Sequence, residues 1–538
     1  DDRMPETTRL VLDEDDGQLA VRIAYPGQQP QSLRAPHPFA NPFSAEDLEE
    51  LRFYLEDFAE LPTGEYGKRG DRVEAKLDAW GEALFTATFG DRQAGQLLGA
   101  VYSRLNDAPP RPVAVRVRSK DPRFLGLPWE LLKDPNRPTP LALQVSAFER
   151  ELPSDDPGRP FEADAAELRV LLVIARPGGI RDVRYHSVAR PVFELLDRAD
   201  FQGHLKLEVL RPPTFAALKA KLRAAAEAKS PYHVVHFDGH GTFGAVAGGE
   251  PVFHPRTYRL PARQGYLSFE KDESTGQELV TAEAFAQALK DGRVPLVLLN
   301  ACRSAQLDGT AAETDEAAGP EASVATRVLM EGASAVVAMS HNVYVVAAAA
   351  FVATFYEELF RGCTVGQAVA RGRRALKEQN KRPSLKGREL ALQDWIVPTH
   401  YTRSEIKLPQ PLLVAADAAA PGSAEAGSPE AFLGKLLDQG AAGEEGTADA
   451  ETQATDPLAP EGGVFFGRDA EFYLLEQAVR LARVAVVHGV AGTGKTELAK
   501  AFARWFARSG GLDRPDLVFL HSFQPGVASF GLDGVVAA

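Results

Sequence analysis

Cysteine is nearly absent: Cys302 and Cys363 are the only two in 538 residues. That scarcity excludes a disulfide framework and fits a reducing cytosol. Basic residues fall short of acidic ones, 60 against 74, leaving a net charge of −14. A phosphate-binding surface needs an excess of Lys and Arg, so neither nucleic acid nor an anionic membrane is expected as the principal partner. Long apolar runs are missing too. The longest, Val343–Phe355, is too short to cross a bilayer, and the opening DDRMPETTRL lacks the apolar core of a secretory signal. The expectation is a soluble, cytoplasmic protein.

The chain is too long for one hydrophobic core, and about three or four domains are expected. Residues 1–160 mix a strand-like opening (Arg9–Leu12, Leu19–Ile23), helices over Ala45–Phe58 and Arg72–Phe89, and a strand near Val113–Val117. No catalytic constellation is visible there, and Leu127–Leu132 (LPWELL) reads as a packing element. From residue 161 to 405 short apolar runs alternate with amphipathic helices, the pattern of a parallel sheet with crossover helices. Strands are expected at Leu168–Ile174, Leu205–Leu210, Tyr232–Phe237, Val294–Asn300 and Ala335–Met339. Thr214 and Thr281 read as helix N-caps, and Thr364 with Gln367 as a capping box. The fold class is therefore α/β, doubly wound and mainly parallel, with helices on both faces. Residues 406–463 form an acidic linker. From about Ala415 onward it is rich in Ala, Gly, Glu, Asp and Pro, and Lys435 is its only basic residue, so it lacks the apolar surface to order itself. Residues 464–538 read as the first part of a phosphate-loop domain.

Two of the strands run into chemistry. Tyr232–Phe237 leads into Asp238-Gly239-His240-Gly241, and Val294–Asn300 into Ala301-Cys302-Arg303-Ser304. In a parallel sheet both carboxyl ends lie on one edge, where open α/β folds place their sites. A histidine and a cysteine thus converge without being neighbours in sequence. An imidazole can take the thiol proton and later return it to a leaving amine. Gly241 has no side chain to keep its N–H from an acyl oxygen, and the Cys302 N–H supplies a second oxyanion donor. Taken singly, His240 could simply end a strand and Cys302 could simply be buried; their joint placement favours a dyad. His233, His236 and His240 do not make a zinc site, because positions 233 and 236 of a strand point to opposite faces and no cysteine or carboxylate completes the set. Cys363, just before the Thr364 cap, reads as structural. The acidic run Asp308–Ala322 follows Cys302 and invites either a regulatory loop or a solvated insertion.

The runs LRVLLVIARPGGIRDV, VVHFDGHGTF, VPLVLLNACRSAQ, EGASAVVAMSHNV and DWIVPTHY resemble the CHAT family, caspase-like proteases related to caspases and separases, and PWELL is similar to a segment of bacterial members. The resemblance spans about residues 9–403. It implies a caspase-like core that cleaves peptide bonds, with His240 as base, Cys302 as nucleophile, Gly241 and Cys302 as oxyanion donors, and Asn300, two before the nucleophile, in the pocket for the P1 side chain. Relatives that prefer a basic P1 residue carry an acid at that position, so the neutral Asn300 argues against such a preference.

Val484–His488 reads as a buried strand, followed by the G-x-x-x-x-G-K-T pattern at Gly489, Gly492, Gly494, Lys495 and Thr496, and then a helix. Backbone N–H groups and the helix N-terminus suit ATP phosphates, Lys495 the β and γ groups, and Thr496 a magnesium ion. The preceding FFGRDAEFYLLEQA resembles the opening of signal-transducing, AAA-like NTPases, and Leu517–Phe523 reads as the next strand. No acid of the Walker B kind follows before Ala538, so the sequence is expected to be a fragment that does not hydrolyse ATP. The expected whole is a cysteine endopeptidase under a nucleotide-binding switch, acting on a protein substrate. The plan resembles that of bacterial immune or programmed-death effectors, which implies gasdermin-like proteins as one class of substrate and assembly through the NTPase module. The competing reading is an ATP-switched scaffold that uses a caspase-like domain only for binding.

Overall fold

Alternation of buried and half-exposed residues along Thr8–Asp15 marks a strand with one face on a core, while Leu168–Ile174, Leu296–Ala301 and Ala335–Met339 are buried almost throughout. Unbroken apolar strands of this kind belong to a sheet covered on both sides. The computed structural model describes residues 7–59, 62–90, 98–108, 110–153, 167–182, 188–196, 205–244, 246–247, 250–251, 264–271, 276–301, 324–384, 389–403, 467–482, 484–512 and 518.

Thirteen strands join in one sheet among the described residues. In chain order they are β1 (Thr8–Asp15), β2 (Gln18–Ala24), β3 (Gln31–Pro38), β4 (Val113–Arg118), β5 (Ala147–Glu151), β6 (Leu168–Ile174), β7 (Leu205–Val209), β8 (Val234–Gly244), β9 (Gln264–Glu270), β10 (Gln277–Thr281), β11 (Leu296–Ala301), β12 (Ala335–Met339) and β13 (Pro398–Thr402). Their spatial order is β7-β6-β8-β11-β12-β13-β5-β4-β1-β2-β3, and β9 with β10 continues from the outer half of β8. Strands β7, β6, β8, β11 and β12 are mutually parallel, β13 runs against β12, and β5, β4 and β1 run parallel to β13. Residues 1–160 and 161–405 therefore share one sheet through β5 and β13.

Helices α1 (Ala45–Glu56), α2 (Gly64–Phe89) and α3 (Gly99–Leu105) accompany the first strands. Later come α4 (Ala189–Leu195), α5 (Phe215–Glu227), α6 (Ala282–Asp291), α7 (Val324–Met330), α8 (Val345–Phe360) and α9 (Val365–Glu378). Successive residues of one strand enter different cores. Leu171, Val173, Val297 and Leu299 pack with Phe215, Leu222, Phe285 and Leu329 of α5, α6 and α7. Val170, Leu172, Leu296 and Leu298 pack with Val192, Phe351, Phe355 and Val369 of α4, α8 and α9. The sheet is thus doubly wound, as its period-two alternation requires. Local chemistry sets the helix starts: Thr214 accepts from the Ala217 N–H, Thr281 from the Ala284 N–H, and Thr364 with Gln367 closes a capping box.

The LPWELL segment packs as its composition suggests, with Trp129 buried. It also carries a buried charge. Glu130 pairs with Arg150 of β5 and with Arg373 of α9 at 3.0 Å, and Arg373 also donates to the Pro398 carbonyl at 2.8 Å. One carboxylate thereby ties the first third of the chain to α9 and β13.

Candidate active site

Strands β6 and β11 end together on either side of β8. Ile174 and Asn300 both stand opposite Asp238, and Ala301 stands opposite Gly239. This is the carboxyl edge where loops of parallel sheets gather functional groups. His240 sits one residue beyond, in the part of β8 that continues outward to pair with β9. Its imidazole Nε2 lies 2.5 Å from Oδ1 of Asp182, while the histidine side chain keeps 43% of its surface exposed and that of Asp182 only 2%. Asp182 closes the turn after β6: its other oxygen accepts from the Gly178 N–H at 2.9 Å, and its own N–H donates to Gly179 O. Gly179, at φ +64°, needs the freedom of glycine to make that turn. A carboxylate only accepts, so Nε2 carries the proton and Nδ1 is left as the basic nitrogen.

Beneath the histidine lies a buried polar floor. Arg176 donates to the Asp238 carboxylate at 2.6 Å and to its carbonyl at 2.7 Å, and Asn300 Nδ2 donates to the other Asp238 oxygen at 2.7 Å. Asp238 thus clamps β6 and β11 to β8. Glu270, from β9, accepts from the Arg176 N–H at 3.1 Å, and its burial pushes its carboxyl above the ordinary value. The buried Asn300 Oδ1 has no hydrogen-bond partner among the described residues, so one polar atom at this edge is unsatisfied.

Of the residues singled out in the sequence, His240, Gly241 and Asn300 lie within one or two residues of this edge, Gly241 opposite Leu267. Cys302 and the acidic run Asp308–Ala322 lie outside the described residues; the chain reaches Ala301 immediately before them. His233 accepts from the Arg169 N–H at 2.9 Å, and fully buried His236 stacks on Tyr356, so both serve packing, and burial pushes each down to about 4. Cys363 donates to Glu358, and burial beside that carboxylate pushes its thiol up to about 11, which makes it a poor nucleophile. Asp182, the partner of His240, is the residue of this edge that sequence reasoning missed. Its signal was a carboxylate just past a Gly-Gly turn at the end of a strand neighbouring the histidine.

Comparison with known proteins agrees with the family resemblance read in the sequence. Residues 92–406, more than half of the chain, match the CHAT domain. The chain belongs to the CHAT domain family. Two crystal structures of the Saccharomyces cerevisiae separase–securin complex contain chains of 11% and 12% identity to it, at TM-scores of 0.39 and 0.38. Each alignment covers 75% of this chain, which spans only 30% of the length of those chains. No match is found among the curated proteins.

Beyond the CHAT match, α10 (Asp469–Leu481) and α11 (Lys495–Arg508) flank the glycine-rich segment 489–494. The buried strand expected at Val484–His488 is not formed: these residues follow no strand pairing, and Val484 and Val486 are more than 70% exposed. An apolar run is buried as a strand only between neighbours, and among the described residues no strand lies beside it. The expected Leu517–Phe523 strand falls, apart from Val518, outside the described residues. In the loop, Gly492 and Gly494 hold φ of +80° and +69°, Lys495 Nζ folds back to the Val490 carbonyl at 2.8 Å, and α11 begins at once. Both helices dock on the CHAT sheet. Arg211 donates to Glu476 from Nη2 at 2.7 Å and from Nε at 2.9 and 3.2 Å, and to the Ser509 carbonyl and hydroxyl, while Trp505 donates to Glu476 and packs on Phe193. The Val209 N–H of edge strand β7 donates to Ser509 O. Tyr473 of α10 lies against Gly179, and Gln477 and Arg480 approach Glu270, within the turn and floor that hold Asp182 and Arg176.

Proposed function

We propose that the CHAT region is a cysteine endopeptidase in which Cys302 is the nucleophile, His240 the base, Asp182 the group that orients the base, and the N–H groups of Gly241 and Cys302 the oxyanion donors. The observation that carries this reading is the exposed imidazole of His240, held by a buried carboxylate at the edge where β11 ends. Covalent continuity supports it: Cys302 follows Ala301, His240 follows Gly239, and Ala301 and Gly239 are partners on adjacent strands about 4.8 Å apart. In the reaction, Nδ1 of His240 accepts the Sγ proton, sulfur bonds to the scissile carbonyl carbon, and the oxyanion is met by the two N–H groups. The imidazolium then protonates the leaving nitrogen as the C–N bond breaks, and water, deprotonated by the same imidazole, releases the acyl group from sulfur. Asp182 stabilises the imidazolium without taking its proton. Asn300, whose Nδ2 is held by Asp238 and whose buried Oδ1 has no partner among the described residues, is assigned to the wall of the P1 pocket.

The phosphate loop is assigned to ATP with magnesium, through Gly489, Gly492, Gly494, Lys495 and Thr496. What supports it is a glycine-shaped loop with its ammonium folded across it and a helix N-terminus behind it. When bound, the nucleotide supplies charge that Lys495 and the backbone N–H groups neutralise. Docking of α10 beside Asp182 supports a control of proteolysis by this module. The test is a proteome-wide cleavage-site survey comparing the wild-type chain with Cys302→Ala. Cleavages lost in the variant support the protease, whereas identical surveys in the activated state favour a binding scaffold.

A further inference from the structure

A cavity of about 670 Å³ opens at the amino ends of β1, β4 and β5. Among the described residues that line it, Arg9, Arg111 and Arg374 are cationic and none is an Asp or Glu, while Gln144, Ser146, Gln367 and three prolines complete the wall. Three guanidinium groups thus converge on one cavity with no Asp or Glu in its described lining, in a chain of net charge −14. Arg374 is fixed in the wall by donating to the Leu143 and Val145 carbonyls, at 3.4 and 3.1 Å. Burial and nearby Arg371 push its pKa down, so an incoming anion is favoured there. Arg111 stands at the rim, paired with exposed Asp107 at 3.0 Å. Glu149 lines a smaller neighbouring cavity with Arg9, where it is bonded by Arg116 at 2.8 Å and also feels the charge of Arg9.

Topology sets this cavity on the catalytic edge. Because β13 runs against β12, with Pro398 opposite Met339, the amino ends of β13, β5, β4 and β1 lie on the same side of the sheet as the carboxyl ends of β8 and β11. From β11 to β5 and β4 is three or four strand steps, roughly 14–19 Å at about 4.8 Å per step. An extended peptide covers that distance with about five residues.

We propose that this arginine-lined cavity is an exosite that holds an acidic side chain of the protein substrate, about five residues from the bond cleaved at the His240 edge. Charge-assisted, bidentate contacts from guanidinium groups suit a carboxylate. The proline and glutamine wall suits an extended backbone. The anion site stands by itself, while its role as an exosite rests on the proteolytic reading.

The test uses the full chain carrying Cys302→Ala and measures fluorescence anisotropy of fluorescein-labelled hexaglutamate, with hexaglutamine as control. The expected result is salt-sensitive binding of hexaglutamate only, weakened roughly tenfold or more by Arg111→Glu and by Arg374→Gln. Arg111 is exposed, so that variant keeps its fold even if Arg374→Gln does not. Equal binding by Arg111→Glu, or no hexaglutamate binding, overturns the proposal. Binding of inorganic phosphate at this site without hexaglutamate binding also overturns it, in favour of a small-anion site. Since the readout is binding by an inactive chain, failure here and failure of the protease reading are separately visible.

Discussion

Replacing Asp182 by asparagine exchanges one carboxylate oxygen for an NH₂ and leaves the shape of the turn, so its effect can be worked from the hydrogen bonds. The carboxylate accepts twice, from the Gly178 N–H at 2.9 Å and from His240 Nε2 at 2.5 Å. An amide has one acceptor and one donor. If its oxygen stays with Gly178, its NH₂ faces Nε2, which must then accept, and the ring proton moves to Nδ1, the atom that has to take the proton from sulfur. Recovering the active tautomer turns the NH₂ toward the Gly178 N–H and sets two donors against each other, at about 1–3 kcal/mol each. Gly178 is exposed to water, which keeps the sum near the lower half, about 2–4 kcal/mol. At about 1.4 kcal/mol per decade this is a loss of roughly thirty- to a thousand-fold in kcat/KM. The assay is hydrolysis of a fluorogenic peptide carrying a sequence that the wild-type chain cleaves, with thermal unfolding as a folding control. A folded Asp182→Asn chain whose kcat/KM falls less than about threefold would refute the reasoning.

Other parts of the structure give equally direct expectations. Glu130→Gln leaves the buried guanidinium groups of Arg150 and Arg373 without their shared anion, and urea unfolding should show a loss of about 3–5 kcal/mol. Burial pushes His400 down to about 4 from an ordinary 6.5. The unfolded chain therefore takes up that proton first, and stability falls as pH drops from about 6.5 toward 4. His400→Gln should reduce the slope of stability against pH in that window by about 1.4 kcal/mol per pH unit, measured by urea midpoints from pH 4 to 7. Lys495→Ala should weaken binding of a fluorescent ATP analogue to the full chain roughly tenfold or more, the scale of a lost bond to a charged group.

What the sequence made legible was local or doubly buried. Strands β6 and β12 were readable to the residue, because a strand covered on both faces is an unbroken apolar run. Thr214, Thr281 and Thr364 were readable as caps because their bonds reach only three residues ahead. Strand β8 was expected to stop at Phe237, where the apolar run ends; it continues to Gly244 because β9, which begins at Gln264, pairs with it. Asp182 was not legible as a partner of His240, for that bond joins segments 58 residues apart through the folding of a glycine turn. Asn300 was read as a pocket residue, and its tie to Asp238 emerges only from the strand register that sets them side by side. The Val484–His488 run was misread because periodicity reports the wish for burial and not the presence of neighbours.

The central claim is a thiol and an imidazole working together at one strand edge. The most direct measurement is labelling of the activated chain with a thiol-directed peptide probe, comparing wild type with Cys302→Ala, Cys363→Ala and His240→Ala. The account predicts labelling that survives Cys363→Ala, disappears in Cys302→Ala and slows strongly in His240→Ala. Labelling that follows Cys363, or a Cys302 that reacts equally well without His240, would contradict it.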